Sequence, residues 1–129
     1  MPHIDAHLFN KKGVKKAIEL IFDEDDNIID GIKSAMQEHN VSEANVEEAE
    51  GLMKEVTVNY FERSSYQSKT AKDAKIMRVS GNFKLSYGEL YGKMNVFTFD
   101  KPPLQGTVVR AKARAGFSLK LSFIHLVDK

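Results

Sequence analysis

Arg110, Lys112 and Arg114 are the residues whose types and spacing point most directly to chemistry. On a regular strand a two-residue repeat turns all three side chains to one face and leaves Val109, Ala111, Ala113 and Ala115 on the other. Such a row of cations neutralises phosphates or other anions without reading a base sequence. Lys120 and Lys84 extend the patch if their strands pair suitably. A solvated or subunit-interface sheet face carries the same residues over small packing partners. The ladder is therefore a candidate nucleic-acid or anion site with a plain structural alternative.

Other chemistry is argued against by position. Asp23, Asp25 and Asn27 have the alternate oxygen ligands of a calcium loop, but Ile28 stands where the turn glycine belongs and Ser34 replaces the closing bidentate Glu. The carboxylates of Asp23-Glu24-Asp25-Asp26 are better read as favouring the positive end of a following helix. His3 and His7 have the i, i+4 spacing of two metal ligands, yet no third ligand is evident, so both read as solvated. His39 and His125 read as structural. Ser64, Ser65, Ser80 and Ser86 sit in no nucleophile elbow, and neither the phosphate-loop nor the dinucleotide glycine pattern occurs. With no Cys in the chain, thiol nucleophiles and Cys-ligated metals are excluded. Enzymatic activity has little support, and no catalytic residue, metal or cofactor is expected.

The elements that must position the ladder belong to a chain of 129 residues, 42% hydrophobic and 29% charged, which fits one ordinary globular domain. Residues 1–68 hold 7 basic and 14 acidic side chains and residues 69–129 hold 12 and 4, so a formal net charge of +1 hides a −7/+8 split. The split implies a basic binding face, or surfaces that complement each other within the fold or between subunits. No stretch approaches the roughly 20 apolar residues of a membrane helix, and Met1-Pro2-His3-Ile4-Asp5 does not read as a signal peptide. The expectation is a soluble cytoplasmic protein with no membrane partner.

Residues 1–14 read as an N-terminal arm and 15–129 as one domain. Ala17 to Phe22 reads as a buried strand. Ile28, Ile29, Ile32, Ala35 and Met36 recur at helical spacing between an N-cap at Asn27 and a stop at Asn40. From Asn40 to Gly51 propensity favours helix, while the short span also suits a strand. Val56, Val58 and Tyr60 begin an alternating strand. Ser64 to Asp73 reads as a loop or hairpin extension. Met77, Val79, Gly81, Phe83, Leu85 and Tyr87 line one face of a long strand, and Leu90, Met94 and Val96 one face of the next, which Pro102-Pro103 closes. Leu104 to Ala115 and Phe117 to Val127 read as a tight hairpin around Gly116.

This order of elements, with Ser80-Gly81-Asn82-Phe83 followed by Gly88-Glu89 and Gln105-Gly106-Thr107, resembles the plants-and-prokaryotes-conserved (PPC) domain, prokaryotic stand-alone type, over about residues 15–127. The resemblance implies an α+β fold, one main helix packed on a mostly antiparallel multi-stranded sheet, and a homotrimer. It also makes Ala44 to Glu50 a strand, and that reading is adopted. Many prokaryotic members look like metal binders through a His-X-His pair after the Gly-Glu turn and a later His. Lys93, Asn95 and Thr107 occupy those places here, so the metal site should be absent. The Arg-Gly-Arg-Pro hooks and the Gly-Arg-Phe-Glu-Ile-Leu motif of plant members are absent too. The implied function is a non-enzymatic trimeric module, DNA-associated through weak, sequence-insensitive contacts. The alternative is a small-molecule or ion-binding regulatory trimer, or an unrecognised enzyme, with its site at subunit clefts.

Overall fold

The computed structural model describes residues 11–128. Seven strands and one helix follow in the order β1 (Lys11–Ile21), α1 (Ile28–Glu38), β2 (Glu43–Glu50), β3 (Leu52–Glu62), β4 (Ser65–Ser86), β5 (Glu89–Thr98), β6 (Leu104–Ala113) and β7 (Ser118–Asp128). All pairings are antiparallel. The sheet order is β1-β7-β2-β4-β3-β6-β5, and a further β4–β5 pairing closes β4, β3, β6 and β5 into a ring. The expected α+β architecture is the one observed.

α1 forms where its caps and periodicity place it. The Asn27 side chain accepts from the Asp30 N–H at 3.2 Å, supplying one of the helix's unpaired donors. At the other end Asn40 takes the left-handed conformation, φ 54°, and the Val41 N–H returns to Met36 O at 3.0 Å. Ile28, Ile32, Ala35 and Met36 are buried in one core with Met53, Val56, Val58, Phe83, Met94, Phe117, Leu119 and Leu121. Each of the larger side chains contributes about 1.5–3 kcal/mol by leaving water.

Residues 43–50 are strand, so sheet pairing on both edges of β2 overrides the helical propensity of Glu and Ala. Ser64 to Asp73 takes the second of its two expected forms, a hairpin extension and not a loop: after the turn at Arg63 and Ser64 it runs as strand. β4 starts at Ser65 and runs for 22 residues, because β3 supplies a partner for every residue pair from Glu62↔Ser65 inward except around Lys54. β1 takes in residues 11–14 of the expected arm; residues 1–10, including His3 and His7, lie outside the described residues. The expected hairpin around Gly116 does not form. β6 pairs with β3 and β5 and β7 with β1 and β2, so the turn at Gly116 carries the chain across the sheet.

Two bulges break the expected alternation. The register shifts between Ile76 and Arg78, which leaves Ile76 buried and turns Met77 outward at 54% exposure. A second shift, opposite Thr57/Val58, buries Val108 and exposes Val109. An extra residue on one strand reverses the facing of the residues beyond it, so strict two-residue alternation misplaces both Met77 and Val109.

β2 and β3 share one register against β4. Glu43↔Lys84 to Val46↔Gly81 and Leu52↔Lys75 to Glu62↔Ser65 continue a single ribbon. Between them the strands part, at Glu47–Glu50 on one side and Met77–Ser80 on the other. The Ile76 N–H donating to Gly51 O at 3.0 Å closes the lower end. Gly51 adopts φ +113° there, and a Cβ would sit 3.1 Å from Phe117 Cα, so this corner requires glycine.

Candidate nucleic-acid interface

Arg110 and Lys112 flank the buried Ala111 on β6 and point outward together, as their spacing predicts. Their neighbours follow from register. Glu55 on β3 lies opposite Lys112 on one side and Lys72 of β4 on the other, and Thr57 lies likewise between Arg110 and Thr70. Arg110 Nη1 donates to Glu55 Oε1 at 3.1 Å, and the Thr57 and Thr70 hydroxyls share a hydrogen bond of 2.8 Å. The result is an exposed patch of three cations, Arg110, Lys112 and Lys72, around the Glu55 carboxylate, with Asp25 near Lys112 at its edge. Sequence reading missed Lys72 because its segment reads as a loop or hairpin extension with no register, and only the observed pairing brings it beside Glu55 of β3.

Arg114 is placed differently. β6 ends at Ala113, and the acidic loop before α1 runs beside that end. Asp25 N–H donates to Ala113 O at 2.9 Å, Ala113 N–H donates to Asp26 O at 3.0 Å, and Asn27 bridges Lys112. The loop thus brings Glu24 and Asp25 to the ladder. Arg114 Nη1 donates to Glu24 Oε2 at 2.7 Å and its Nη2 to Asp73 Oδ1 at 2.5 Å, while Lys54 Nζ pairs with Asp25. The Arg114 guanidinium and the Ala115 N–H hold the Glu24 carboxyl below its ordinary range, and Lys54 does the same to Asp25. Arg114 in turn is raised by its bonds to Asp73 and Glu24. The acidic segment therefore clamps the end of β6 besides leading into the helix.

Lys120 and Lys84 do not join this patch. Lys120 lies in register between Glu19 of β1 and Glu48 of β2, and Lys84 between Glu43 and Tyr91. Neither β7 nor the Lys84 end of β4 reaches β6.

The three positions expected to lack metal ligands do converge. Lys93 of β5 lies opposite Thr107 of β6, and Asn95 follows two residues on, donating to the Ser80 hydroxyl at 3.4 Å. An ammonium, an amide and a hydroxyl are a poor donor set for a transition metal, so these residues do not fit one. Among the described residues no group of three His, Cys, Asp or Glu side chains is arranged to hold a metal ion. His39 caps α1 and its ring packs 5.2 Å from that of Phe123, a structural role.

No protein-family model matches the sequence, and no curated protein matches it either. The backbone is more informative. A plant- and prokaryote-conserved (PPC) protein from Pyrococcus horikoshii superposes with a TM-score of 0.63 at 16% identity, over 91% of this chain and 81% of its own. This chain has the PPC fold. A metal-containing protein from Archaeoglobus fulgidus is similar, with a TM-score of 0.65, 17% identity and coverage of 88% and 81%. So is a provisionally assigned DNA-binding protein from Ralstonia eutropha JMP134, at 0.64, 15%, 88% and 83%. At these identities the shared property is the PPC fold. No helix of the described residues is long and apolar enough to cross a membrane.

Proposed function

We propose that this PPC-fold chain is a non-enzymatic cytoplasmic module that assembles as a homotrimer and associates with nucleic-acid phosphates weakly and without reading base sequence. The observation that carries the reading is the exposed Arg110, Lys112 and Lys72 patch, in which Glu55 lies among three cations and Asp25 stands near Lys112. Arg110 exchanges its surface ion pair for a phosphate at little cost, since such exposed pairs contribute about 0–1 kcal/mol. Lys112 and Lys72 form no ion pair among the described residues. Arg114, held by Glu24 and Asp73, positions the strand end and contributes less to binding. The provisional DNA-binding assignment of a fold neighbour supports the same direction. A strand patch with no recognition helix contacts phosphates rather than base edges. Titration of duplex DNA at several salt concentrations, with light scattering on the same sample, tests both parts of the reading.

The second reading, a regulator that binds a small molecule, is favoured by the cleft where β2 and β4 part.

A further inference from the structure

Beyond Asn59 the ribbon of β3 and β4 leaves the rest of the sheet. The β3–β6 register ends at Asn59↔Thr107 and the β4–β5 register begins only at Ile76, while β3 and β4 stay paired out to Glu62↔Ser65. Residues 60–67 are therefore a two-stranded projection. Its two-residue turn, Arg63 and Ser64, has positive φ at both positions, the turn whose twist matches that of the strands it joins.

The outward face of this ribbon continues the cationic patch. Register sets Glu55 against Lys72, Thr57 against Thr70, Asn59 against Ser68 and Phe61 against Tyr66, four rungs at two-residue spacing and so on one side. Lys112 and Arg110 of β6 lie beside the first two. The middle rungs are tied across the ribbon, the threonine hydroxyls to each other at 2.8 Å and the Ser68 hydroxyl donating to Asn59 Oδ1 at 2.5 Å. The last rung is aromatic. The Phe61 and Tyr66 ring centroids lie 5.1 Å apart, edge to face, and the two residues are 64% and 80% exposed. At the cationic end Glu55 and Asp25 are each engaged by a cation, Arg110 and Lys54, and Glu62 alternates away from the strip.

A strip with phosphate-binding cations at one end and bare rings at the other fits a chain that alternates phosphates with flat bases. From Glu55 to Phe61 is about 20 Å at the rise of a strand, which about six nucleotides span at roughly 3.4 Å each along one strand. We propose that this strip binds a short segment of unpaired nucleotides, with phosphates on Lys72, Lys112 and Arg110 and a base stacked on the Phe61–Tyr66 pair. Paired bases in a duplex have their faces covered by their neighbours, so stacking selects unpaired ones. Every base has such a face, so stacking adds little sequence preference. The inference rests on the phosphate-binding reading above and narrows it to single strands.

The test is fluorescence anisotropy with end-labelled oligomers of about twelve nucleotides, oligodeoxythymidine and oligouridine, beside a mixed-sequence duplex of the same length, each at low and raised salt. At least one single strand should bind about fivefold or more tighter than the duplex, and the tighter of the two tells DNA from RNA. A Phe61→Leu, Tyr66→Leu variant, which keeps apolar surface but removes the rings, should lose that difference with its oligomeric state intact. Tyr87→Leu, at an exposed aromatic on the β4–β5 turn, should keep it. Salt-dependent binding by the natural chain with no preference for single strands would overturn this inference and leave the phosphate reading standing. No binding of any probe at low salt would overturn both. A double variant that keeps the preference would also overturn the inference, as would one whose oligomer dissociates, since the rings would then belong to a contact with a second copy. If the variant loses its fold, amide chemical shifts on the natural chain decide: the single strand should move Phe61 and Tyr66, and shifts confined to other strands would overturn the proposal.

Discussion

Arg114 Nη1 lies 2.7 Å from Glu24 Oε2, a contact between residues 90 positions apart that fastens the acidic loop before α1 to the end of β6. Because Arg114 also binds Asp73 of β4, one side chain joins three separate segments.

This contact makes stability depend on acid. The Glu24 and Asp25 carboxyls are held below their ordinary values of 4.5 and 3.8 by Arg114 and Lys54. A carboxyl depressed in the folded state contributes stability that is present above the unfolded value and is lost as pH falls through the folded value. The melting temperature of the natural chain should therefore exceed that of a Glu24→Gln, Asp25→Asn variant at pH 7, and the difference should shrink progressively below about pH 4.5. A difference that stays constant down to pH 2 would contradict the clamp.

Gly92 and Phe83 make a sharper packing test. Phe83 is 1% exposed, and a Cβ on Gly92 would overlap its ring. Gly92→Ala should destabilise the protein by about 1–3 kcal/mol in urea unfolding. Adding Phe83→Leu should recover part of that loss, since the two positions share one space. Strict additivity would place the strain elsewhere.

Asn27→Ala removes the cap of α1 and should cost about 1 kcal/mol in the same unfolding experiment. The bond it deletes is the one from Asp30 N–H. A neutral result would mean that the bridge between Asn27 and Lys112, and not the side-chain cap, fixes the helix start.

Much of this fold is legible in the sequence. The Asn27 and Asn40 caps, the apolar stripe between them and the faces of Phe83 to Leu85 and Leu90 to Val96 all follow from local chemistry and periodicity. What escapes is non-local. Met77 and Val109 change sides because of bulges, whose extra residue leaves no clear mark in composition. The Gly116 turn has the local features of a hairpin, but the strands it joins each find other partners. The ladder shows the same limit. Two-residue spacing correctly places Arg110 and Lys112 together, while Arg114, Lys84 and Lys120 take surroundings set by strand order, and Lys72 enters the patch only through pairing across β3.

The Lys93, Asn95 and Thr107 cluster also bears on composition. Protein purified without chelator should carry far less than one zinc per chain, because the Lys93, Asn95 and Thr107 side chains are poor ligands. Near-stoichiometric zinc by elemental analysis would show that other residues hold it.

Assembly is a separate outcome. Light scattering at micromolar concentration should give the mass of three chains, and a monomer across a wide concentration range would contradict the homotrimer.

The central claim is tested most directly by measuring duplex DNA affinity against salt for the natural chain and for an Arg110→Ser, Lys112→Ser, Lys72→Ser variant, with oligomeric state determined on both. Three neutralised phosphates predict a log–log slope of about −2.7 per engaged chain, little discrimination among duplex sequences, and a markedly flatter slope for the variant with its assembly intact. Affinity that resists salt, strong sequence preference, or an unchanged slope in the variant would contradict the account. A variant that falls apart would instead place the patch in the subunit interface, which contradicts it too.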